Sequence, residues 1–117
     1  MLYMLLIYAN ESEWASYSES EQADVMRQHD RLEADLRNTG KYKGCAALQP
    51  TANATTVRVR GGQTLVTDGP YAETKEQFGG YYLIDARDLD DAMAIAARIP
   101  TAGNGSIEVR PLVMYNP

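Results

Sequence analysis

Two short runs of apolar side chains constrain the fold of this chain more than any other feature. They are Leu2–Tyr8 and Tyr81–Ile84, and apart from tyrosine hydroxyls neither run contains a polar or charged group. Successive side chains of a strand point to opposite faces of its sheet, so a run without polar alternation indicates a strand that is covered on both faces. The sequence therefore predicts two strands at the centre of one sheet.

Helix signals follow each of these runs. Ser18 and Glu21 have the spacing of a capping box, and Gly40 marks the end of the first helix. The inward positions of this helix are Val25, Met26, His29, Leu32 and Leu36. Asp88 is a suitable N-cap for the second helix, and Pro100 ends it. The apolar stripe of the second helix consists of Leu89, Ala92, Met93, Ala96 and Ile99.

Four shorter segments complete the pattern as strands, and they read GCAALQ, TVRVRG, QTLVT and SIEVRPL. In the second of them, Val57 and Val59 share one face, and we expect Arg58 and Arg60 to point to solvent. Gly61-Gly62 supplies a hairpin turn. A second pair, Gly79-Gly80, indicates a β-bulge or a close backbone approach at the start of its strand.

The order of these elements is β-α-β, a hairpin, then β-α-β. It predicts the α+β class and a ferredoxin-like β-α-β-β-(β)-β-α-β sandwich, formed by a single domain over residues 1–117. Both helices of such a fold cover the same face of the sheet. The other apolar face therefore predicts a homodimer that packs sheet to sheet.

Composition and charge narrow the classes of function. The net charge is -5, with 11 Lys and Arg among 16 Asp and Glu, which argues against a nucleic-acid partner. The N-terminal apolar run has no basic leader and is shorter than the roughly 20 residues of a membrane span, so we expect no membrane association and a cytoplasmic location. Cys45 is the only cysteine, which excludes an internal disulfide. One His and one Cys cannot form the usual zinc ligand sets, and we expect neither a metal nor a cofactor.

The sole histidine, His29, is the first candidate for chemistry. It stands on the inward side of its helix, four residues after Val25 and three before Leu32. A half-buried imidazole needs a hydrogen-bond partner and titrates near neutral pH, where general acid–base catalysis is most effective. The alternative is a histidine that only satisfies the core, and the sequence leaves both interpretations open.

The segment DGPYAETKEQFGG, residues 68–80, is the second candidate. About twelve residues separate QTLVT from YYLID, which is more than a plain connection needs. Asp68 could orient His29 as the carboxylate of a His–Asp pair, so these two are the predicted catalytic residues. Predicted ligand contacts from the same loop are Tyr71, Glu73 and Lys75, with Glu76 beside them. The alternative for the three charged residues is a solvated helical turn, since charge runs usually face water.

The segment DGPYAETKEQFGGYYLIDARDLDDAMAIAARIP resembles the signature of the YCII-related, DGPF-domain family, with Tyr71 where the family usually has phenylalanine. The likeness extends to the opening MLLIY, the helix with His29, the hairpin VRVRGGQTLVTDGP and the closing EVRPL. This resemblance implies a ferredoxin-like fold that dimerises through its sheets, as in the dimeric α/β-barrel group. It also implies an active-site pair on His29 and Asp68.

Two functions follow from the resemblance as hypotheses. In the first, the chain is a cofactor-independent acid–base enzyme for a small aromatic or hydroxylated ligand, as in a dehydrochlorinase among similar proteins. In the second, it is a non-catalytic ligand-binding or accessory protein, for example a partner of an extracytoplasmic-function sigma factor. A haem-degrading or quinol-oxidising monooxygenase of the same architecture is a third and weaker alternative.

Overall fold

The computed structural model describes residues 1–114 of the chain. Its α+β architecture contains a four-stranded antiparallel sheet and a separate two-stranded hairpin. In chain order the elements are β1 (Leu2–Ala9), α1 (Glu11–Ser16), α2 (Glu19–Asn38), β2 (Tyr42–Ala47), β3 (Thr55–Arg60), β4 (Gln63–Asp68), β5 (Gln77–Asp85), α3 (Leu89–Ala96) and β6 (Ser106–Pro111). Short 3-10 turns lie at Thr51–Asn53 and Pro100–Gly103.

The strand order of the main sheet is β2-β5-β1-β6, which confirms that the two apolar runs form the central strands. This order and the antiparallel pairing agree with the ferredoxin-like class predicted from the sequence. Leu5 of β1 lies opposite Tyr82 on one side and Val109 on the other, so the centre of the sheet is fixed by a row of large side chains.

The two faces of the sheet have different surroundings. One face packs against the helices and forms the core, whose largest fully buried side chains are Leu5, Leu32, Ile84 and Ile99. The opposite face is apolar as well, but its side chains remain partly exposed. We call this surface the open face; its central residues are Leu2, Met4, Leu6, Tyr81 and Leu83. Within residues 1–114, no helix covers it.

The helix starts follow the predicted capping chemistry. Ser18 and Glu21 form a complete capping box, and the Asp88 carboxylate accepts a hydrogen bond from the Asp91 amide at 2.8 Å. The short helix α1 was not expected; it begins at the Asn10 cap, whose side chain accepts hydrogen bonds from two backbone amides. Six residues without an apolar stripe leave little signal in a sequence. In the described part of the chain, none of the helices has the length and hydrophobicity of a membrane-spanning segment.

The inward face of α2 agrees with its predicted spacing except at one position. Leu32 and Leu36 are buried, and His29 is half-buried. Met26 is 50% exposed, so its prediction as an inward residue was wrong. The buried part of the helix is therefore a narrow stripe towards its C-terminal half.

The predicted stripe of α3 also needs a correction. Leu89 and Met93 are about half exposed, and the helix ends at Ala96, earlier than Pro100 suggested. The buried positions are Ala92, Ile95, Ala96 and Ile99, which follow the i, i+3, i+4, i+7 spacing of one helical face. That face is centred on two alanines, and Met93 is turned away from it.

Asp91, an acidic residue in the first turn of α3, is buried. Lys41 donates to both of its oxygens, at 3.0 and 3.1 Å, and the Arg87 amide donates to it at 3.0 Å. The amide of Arg87 and the ammonium of Lys41 together hold the pKa of Asp91 down, at about 2. The hydrogen bonds from Lys41 link the first turn of α3 to the start of β2.

The Gly79-Gly80 pair forms the predicted bulge. Ile7 lies opposite Gly80 whereas Tyr8 lies opposite Phe78, so Gly79 is the extra residue of β5. A Cβ on Gly80 would stand 2.7 Å from the Ala46 carbonyl oxygen, which confirms the close backbone approach as well. Because of the bulge, the Phe78 ring joins that of Tyr8, with centroids 5.6 Å apart.

The β3–β4 hairpin, which we call the arm, forms its own two-stranded sheet and does not pair with the main sheet. Gly61 and Gly62 adopt positive φ at its tip, as the predicted turn requires. The expected facing of the arm was wrong for three residues, since Val57 and Val59 are 60% and 59% exposed and Arg58 is partly covered, whereas Arg60 is exposed as expected. The arm helps to explain a radius of gyration of 16.3 Å, against about 13 Å for a compact domain of this length.

Candidate functional site

His29 lies in the middle of α2 and points at the sheet, as its spacing predicted. Its Nδ1 atom is 2.7 Å from the hydroxyl of Tyr82, and the two rings are nearly parallel, with an angle of 14° between their planes. Tyr82 belongs to the central strand β5 and is only 4% exposed. The imidazole is therefore hydrogen-bonded to a buried side chain of the central sheet.

The second ring nitrogen of His29 has a different environment. Among residues 1–114, Nε2 makes no hydrogen bond, and no side-chain nitrogen or oxygen in this part of the chain is both buried and unpartnered. Nε2 therefore reaches solvent. One ring nitrogen is therefore hydrogen-bonded to the sheet, and the other is open to solvent.

Burial governs the protonation of both partners. It lowers the pKa of the His29 imidazole below the ordinary value, and the nearby Asp30 carboxylate opposes this only in part. Burial also raises the pKa of the Tyr82 phenol, and the negative field of Cys45 and Glu33 adds to the increase. At neutral pH the pair is thus a neutral imidazole on a protonated phenol.

A row of polar side chains continues from His29 along the same side of α2. Glu33 and Arg37 follow at helical spacing, with Arg37 Nε 3.3 Å from Glu33 Oε2. Opposite them on β2, Cys45 lies 3.5 Å from Glu33 Oε1 and 3.3 Å from the Tyr42 hydroxyl. We call this group the α2 seam; its members are His29, Glu33, Arg37, Tyr42, Cys45 and Tyr82.

Electrostatics within the α2 seam keep its hydroxyl groups protonated. The hydrogen bond with Cys45, assisted by burial, raises the pKa of Tyr42 to about 12. Partial burial raises the pKa of Glu33, but the hydrogen bonds from Cys45 and Arg37 outweigh it and leave that pKa below its usual value. The guanidinium of Arg37 also sits 4.1 Å above the Tyr42 ring. The seam therefore presents phenols, a thiol and a carboxylate beside the histidine.

Asp68 is the last residue of β4, at the base of the arm, and its side chain is exposed. Within residues 1–114 no hydrogen bond joins it to His29, whose Nδ1 is engaged by Tyr82. The residue after it, Gly69, has a φ of 109°, and its amide donates to the Ala54 carbonyl at 2.8 Å. The predicted His29–Asp68 pair thus remains a prediction, and the turn itself is fixed by backbone contacts.

The predicted ligand contacts fall on a shorter loop than expected, because β5 begins already at Gln77 and leaves only residues 69–76 as the connection. This loop contains no helical turn. Tyr71 is 82% exposed, with Arg58 of the arm 6.0 Å from its ring centre. Glu73 and Lys75 are exposed. Glu76 is partly buried instead, and Ser106 donates to its carboxylate at 2.7 Å.

Sequence reasoning missed Tyr82 as the partner of His29 and missed the rest of the α2 seam. The spacing of His29, Glu33 and Arg37, four residues apart each time, was the available signal for one polar edge of the helix. No comparable signal identifies the facing tyrosines, because the register between α2 and the sheet is a tertiary property. Within the described part of the chain, no three His, Cys, Asp or Glu side chains form a metal-binding group.

Comparisons with known proteins identify the family of this chain. The family model described as the YCII-related domain matches residues 1–116. An uncharacterized protein of Rhizobium meliloti (strain 1021) is 44% identical over 119 residues, a match that covers 100% of this chain and 96% of that protein.

Proposed function

We propose that this chain, which belongs to the YCII-related domain family, is a small enzyme that transfers a proton on a small molecule, with His29 as the catalytic acid and base. The observation that carries the proposal is the environment of the imidazole: Nδ1 lies 2.7 Å from the buried Tyr82 hydroxyl, and Nε2 reaches solvent. A fixed, neutral imidazole with one accessible nitrogen is the arrangement that general base catalysis requires.

In this proposal Tyr82 orients the His29 imidazole. If Nδ1–H donates to the phenol oxygen, the Nε2 lone pair is free to accept a proton, and the same hydrogen bond persists in the imidazolium that forms. Tyr82 then acts as a positioning residue. This is the part that sequence reasoning gave to Asp68, and we now assign Asp68 to the ligand side of the site, together with Tyr71, Glu73 and Lys75.

The substrate class follows from the seam beside the ring. The hydroxyls of Tyr42 and Tyr82, the Cys45 thiol and the Glu33 carboxylate are hydrogen-bonding groups suited to a small hydroxylated or aromatic ligand. In the reaction that we propose, Nε2 removes a proton from an acidic C–H or O–H bond of that ligand and returns it to another position or to water. Atoms and charge balance without a cofactor.

Proton exchange provides a test that does not require the natural substrate. A panel of catechols, hydroxyquinols and enolisable carbonyl compounds is incubated with the protein in D2O, and the loss of each C–H signal is followed by NMR. We expect the wild-type chain to accelerate exchange at one position of at least one compound. The His29→Gln variant should lose about 100-fold or more of this acceleration, the usual contribution of general acid–base catalysis.

The matched control is Arg31→Gln, an exposed position two residues away on the same helix, which should exchange at the wild-type rate. Exchange that survives unchanged in His29→Gln would contradict the assignment of the base. Far-UV circular dichroism and the unfolding midpoint of both variants establish that a loss of exchange does not come from unfolding.

A second candidate function is a non-catalytic accessory protein that binds another macromolecule, for example an extracytoplasmic-function sigma factor. It is favoured by the exposure of Tyr71 at the front of the 69–76 loop, with Glu73 and Lys75 exposed behind it. In that case charge reversal at Glu73 and Lys75 should abolish partner binding, whereas His29→Gln should leave it intact.

We further propose that the active form is a cytoplasmic homodimer. Two apolar surfaces support it: the open face of the main sheet and the arm, where Val57, Val59 and Val66 are each 59% to 63% exposed. An isolated two-stranded ribbon is only marginally stable in water, so contact with a second copy would stabilise the arm. The compartment agrees with an exposed, free Cys45.

A further inference from the structure

A cleft separate from the α2 seam lies at the other edge of α2. It has a volume of about 330 Å³, within the usual range for small-molecule sites, and is bounded by α1, α2 and the Pro100–Gly103 turn. His29 does not line it; Val25 and Gln28 are the residues that α2 contributes. The cleft therefore takes no part in the proton transfer proposed above.

The residues that line the cleft carry negative charge and no positive charge. Glu13 is the single charged side chain among the lining residues, and no Lys, Arg or His of residues 1–114 is present there. The other polar groups are the amides of Asn10, Gln28 and Asn104 and the hydroxyls of Tyr17 and Thr101. An anion entering this cleft would meet a carboxylate without any compensating cation, whereas a cation would meet its counter-ion.

Neighbouring side chains hold the Glu13 carboxylate in place. Asn104 Nδ2 donates to Glu13 Oε1 at 3.1 Å and to the Tyr17 hydroxyl oxygen at 2.8 Å, so the Pro100–Gly103 side of the cleft is linked to α1. Within residues 1–114, Glu13 Oε2 accepts no hydrogen bond. One oxygen is thus fixed by the protein, and the other is available to a ligand.

Two aromatic rings complete the cleft. Trp14 and Tyr17 meet edge to face, with centroids 5.8 Å apart, and both line the cavity. The face of an indole attracts cations more strongly than that of any other side chain, and the effect grows where water is excluded. An aromatic pair next to a single carboxylate is the combination that recognises ammonium groups attached to an apolar body.

We propose that this cleft is a binding site for a small organic cation, a protonated amine with an apolar or aromatic group. The ammonium would pair with Glu13 Oε2, and its apolar part would lie against Trp14, Val25 and Pro100. The amide groups of Gln28 and Asn104 would supply further hydrogen bonds.

Trp14 is the only tryptophan of the chain, so its fluorescence reports on this cleft alone. The full-length protein is titrated at pH 7.5 with benzylammonium, with neutral benzyl alcohol and with benzoate, three one-ring probes that differ chiefly in charge. We expect a saturable response to benzylammonium, at least about tenfold weaker binding of the alcohol, and no binding of benzoate. Equal affinity for the alcohol, or no saturation by benzylammonium at about 10 mM, overturns the proposal.

A variant pair locates the charge. Glu13→Gln should weaken benzylammonium binding about tenfold or more, whereas Glu19→Gln, an exposed carboxylate that does not line the cleft, should leave it unchanged. Retained affinity in Glu13→Gln overturns the proposal. If Glu13→Gln folds poorly, the probe series on the wild-type chain still separates a cation site from a merely apolar cleft.

Discussion

Replacement of Tyr82 by phenylalanine tests the central contact of the candidate site. The change removes one oxygen atom and keeps the ring that fills the core beneath α2. The His29 Nδ1 atom, 2.7 Å from that oxygen, would then face a C–H group and could regain a partner only from water that enters a region where Tyr82 is 4% exposed. Both the free energy of unfolding and the pKa of His29 should therefore change.

The cost in stability follows from the lost bond and its buried partner. A hydrogen bond contributes about 0.5–1.5 kcal/mol net, and an unsatisfied buried polar group costs about 1–3 kcal/mol. Since the His29 ring is only half-buried, we expect Tyr82→Phe to lower the free energy of unfolding by about 1–2 kcal/mol. For a chain of this length that corresponds to a decrease in Tm of about 4–8 °C. Urea and thermal unfolding at pH 7.5 measure it.

The titration of His29 distinguishes which atom donates in the bond. Because it is the only histidine, its ring signals in an NMR titration need no assignment. If Nδ1–H donates to Tyr82, the bond is stronger in the imidazolium, and Tyr82→Phe lowers the pKa of His29 further. If the phenol donates instead, it stabilises the neutral ring, and the same substitution raises that pKa.

The matched control is Tyr81→Phe, on the same strand but on the open face, where the hydroxyl makes no hydrogen bond within residues 1–114. It should change neither Tm nor the His29 pKa appreciably. A Tyr82→Phe protein with wild-type stability and a wild-type His29 pKa would refute the view that this bond orients the imidazole. An increase of the His29 pKa would refute the proposed base, since Nε2 would then carry the proton in the neutral ring.

The lowered pKa of His29 also makes stability depend on pH near neutrality. Its folded value is lowered by burial, so the unfolded chain, titrating at about 6.5, takes up the proton first as pH falls. The stability associated with the neutral ring is thus complete above about pH 6.5 and decreases as pH falls through the folded pKa. His29→Gln should remove this component, and denaturation midpoints measured between about pH 5 and 8 would reveal it.

Three other expectations concern the scaffold, its behaviour in acid and its assembly. Gly80→Ala should destabilise the fold by about 1–3 kcal/mol, because its Cβ would press on a backbone carbonyl, whereas Gly79→Ala should cost less; urea unfolding compares them. The pKa of Asp91 is about 2, below its unfolded value, so its stabilising contribution is present above roughly pH 4 and is lost as pH falls towards 2. Asp91→Asn should therefore reduce the dependence of the free energy of unfolding on pH below about pH 4, and Asp90→Asn should not. Val57→Lys should weaken self-association in light scattering without lowering helix content, and unchanged dimers would show that the arm is not at the interface.

Local sequence patterns were sufficient to predict the central strands, the helix starts and the hairpin turn. The two-sided apolar runs place β1 and β5 at the centre because a strand buried on both faces has no polar alternation. The Ser18–Glu21 box, the Asp88 cap and the Gly61-Gly62 turn each depend on a few neighbouring residues, and each is found where its chemistry requires. Contacts between residues close in sequence can be read from the sequence.

Contacts between distant residues could not be predicted in the same way. The partner of His29 is 53 positions away and depends on how α2 lies across β5, which no periodicity encodes. The prediction for the arm was wrong for a related reason. Alternating valines and arginines predict a half-buried strand, but no part of the described chain covers Val57 and Val59. Helical spacing was enough to predict that the His29 ring points to the sheet. The side chain that the ring contacts depends on how α2 packs against β5.

The extra residue at Gly79 is a position where β5 can change length by one residue without a change of register. Insertions between Gly69 and Glu76 would only lengthen a surface connection and leave strand pairing alone. Removal of Gly79 would make Phe78 the direct neighbour of Gly80, so Phe78 would still lie opposite Tyr8 and its ring would stay on the same side of the sheet. Related chains should therefore accept the loss of this extra residue more readily than a deletion elsewhere in β5, which would shift the register and exchange the two faces.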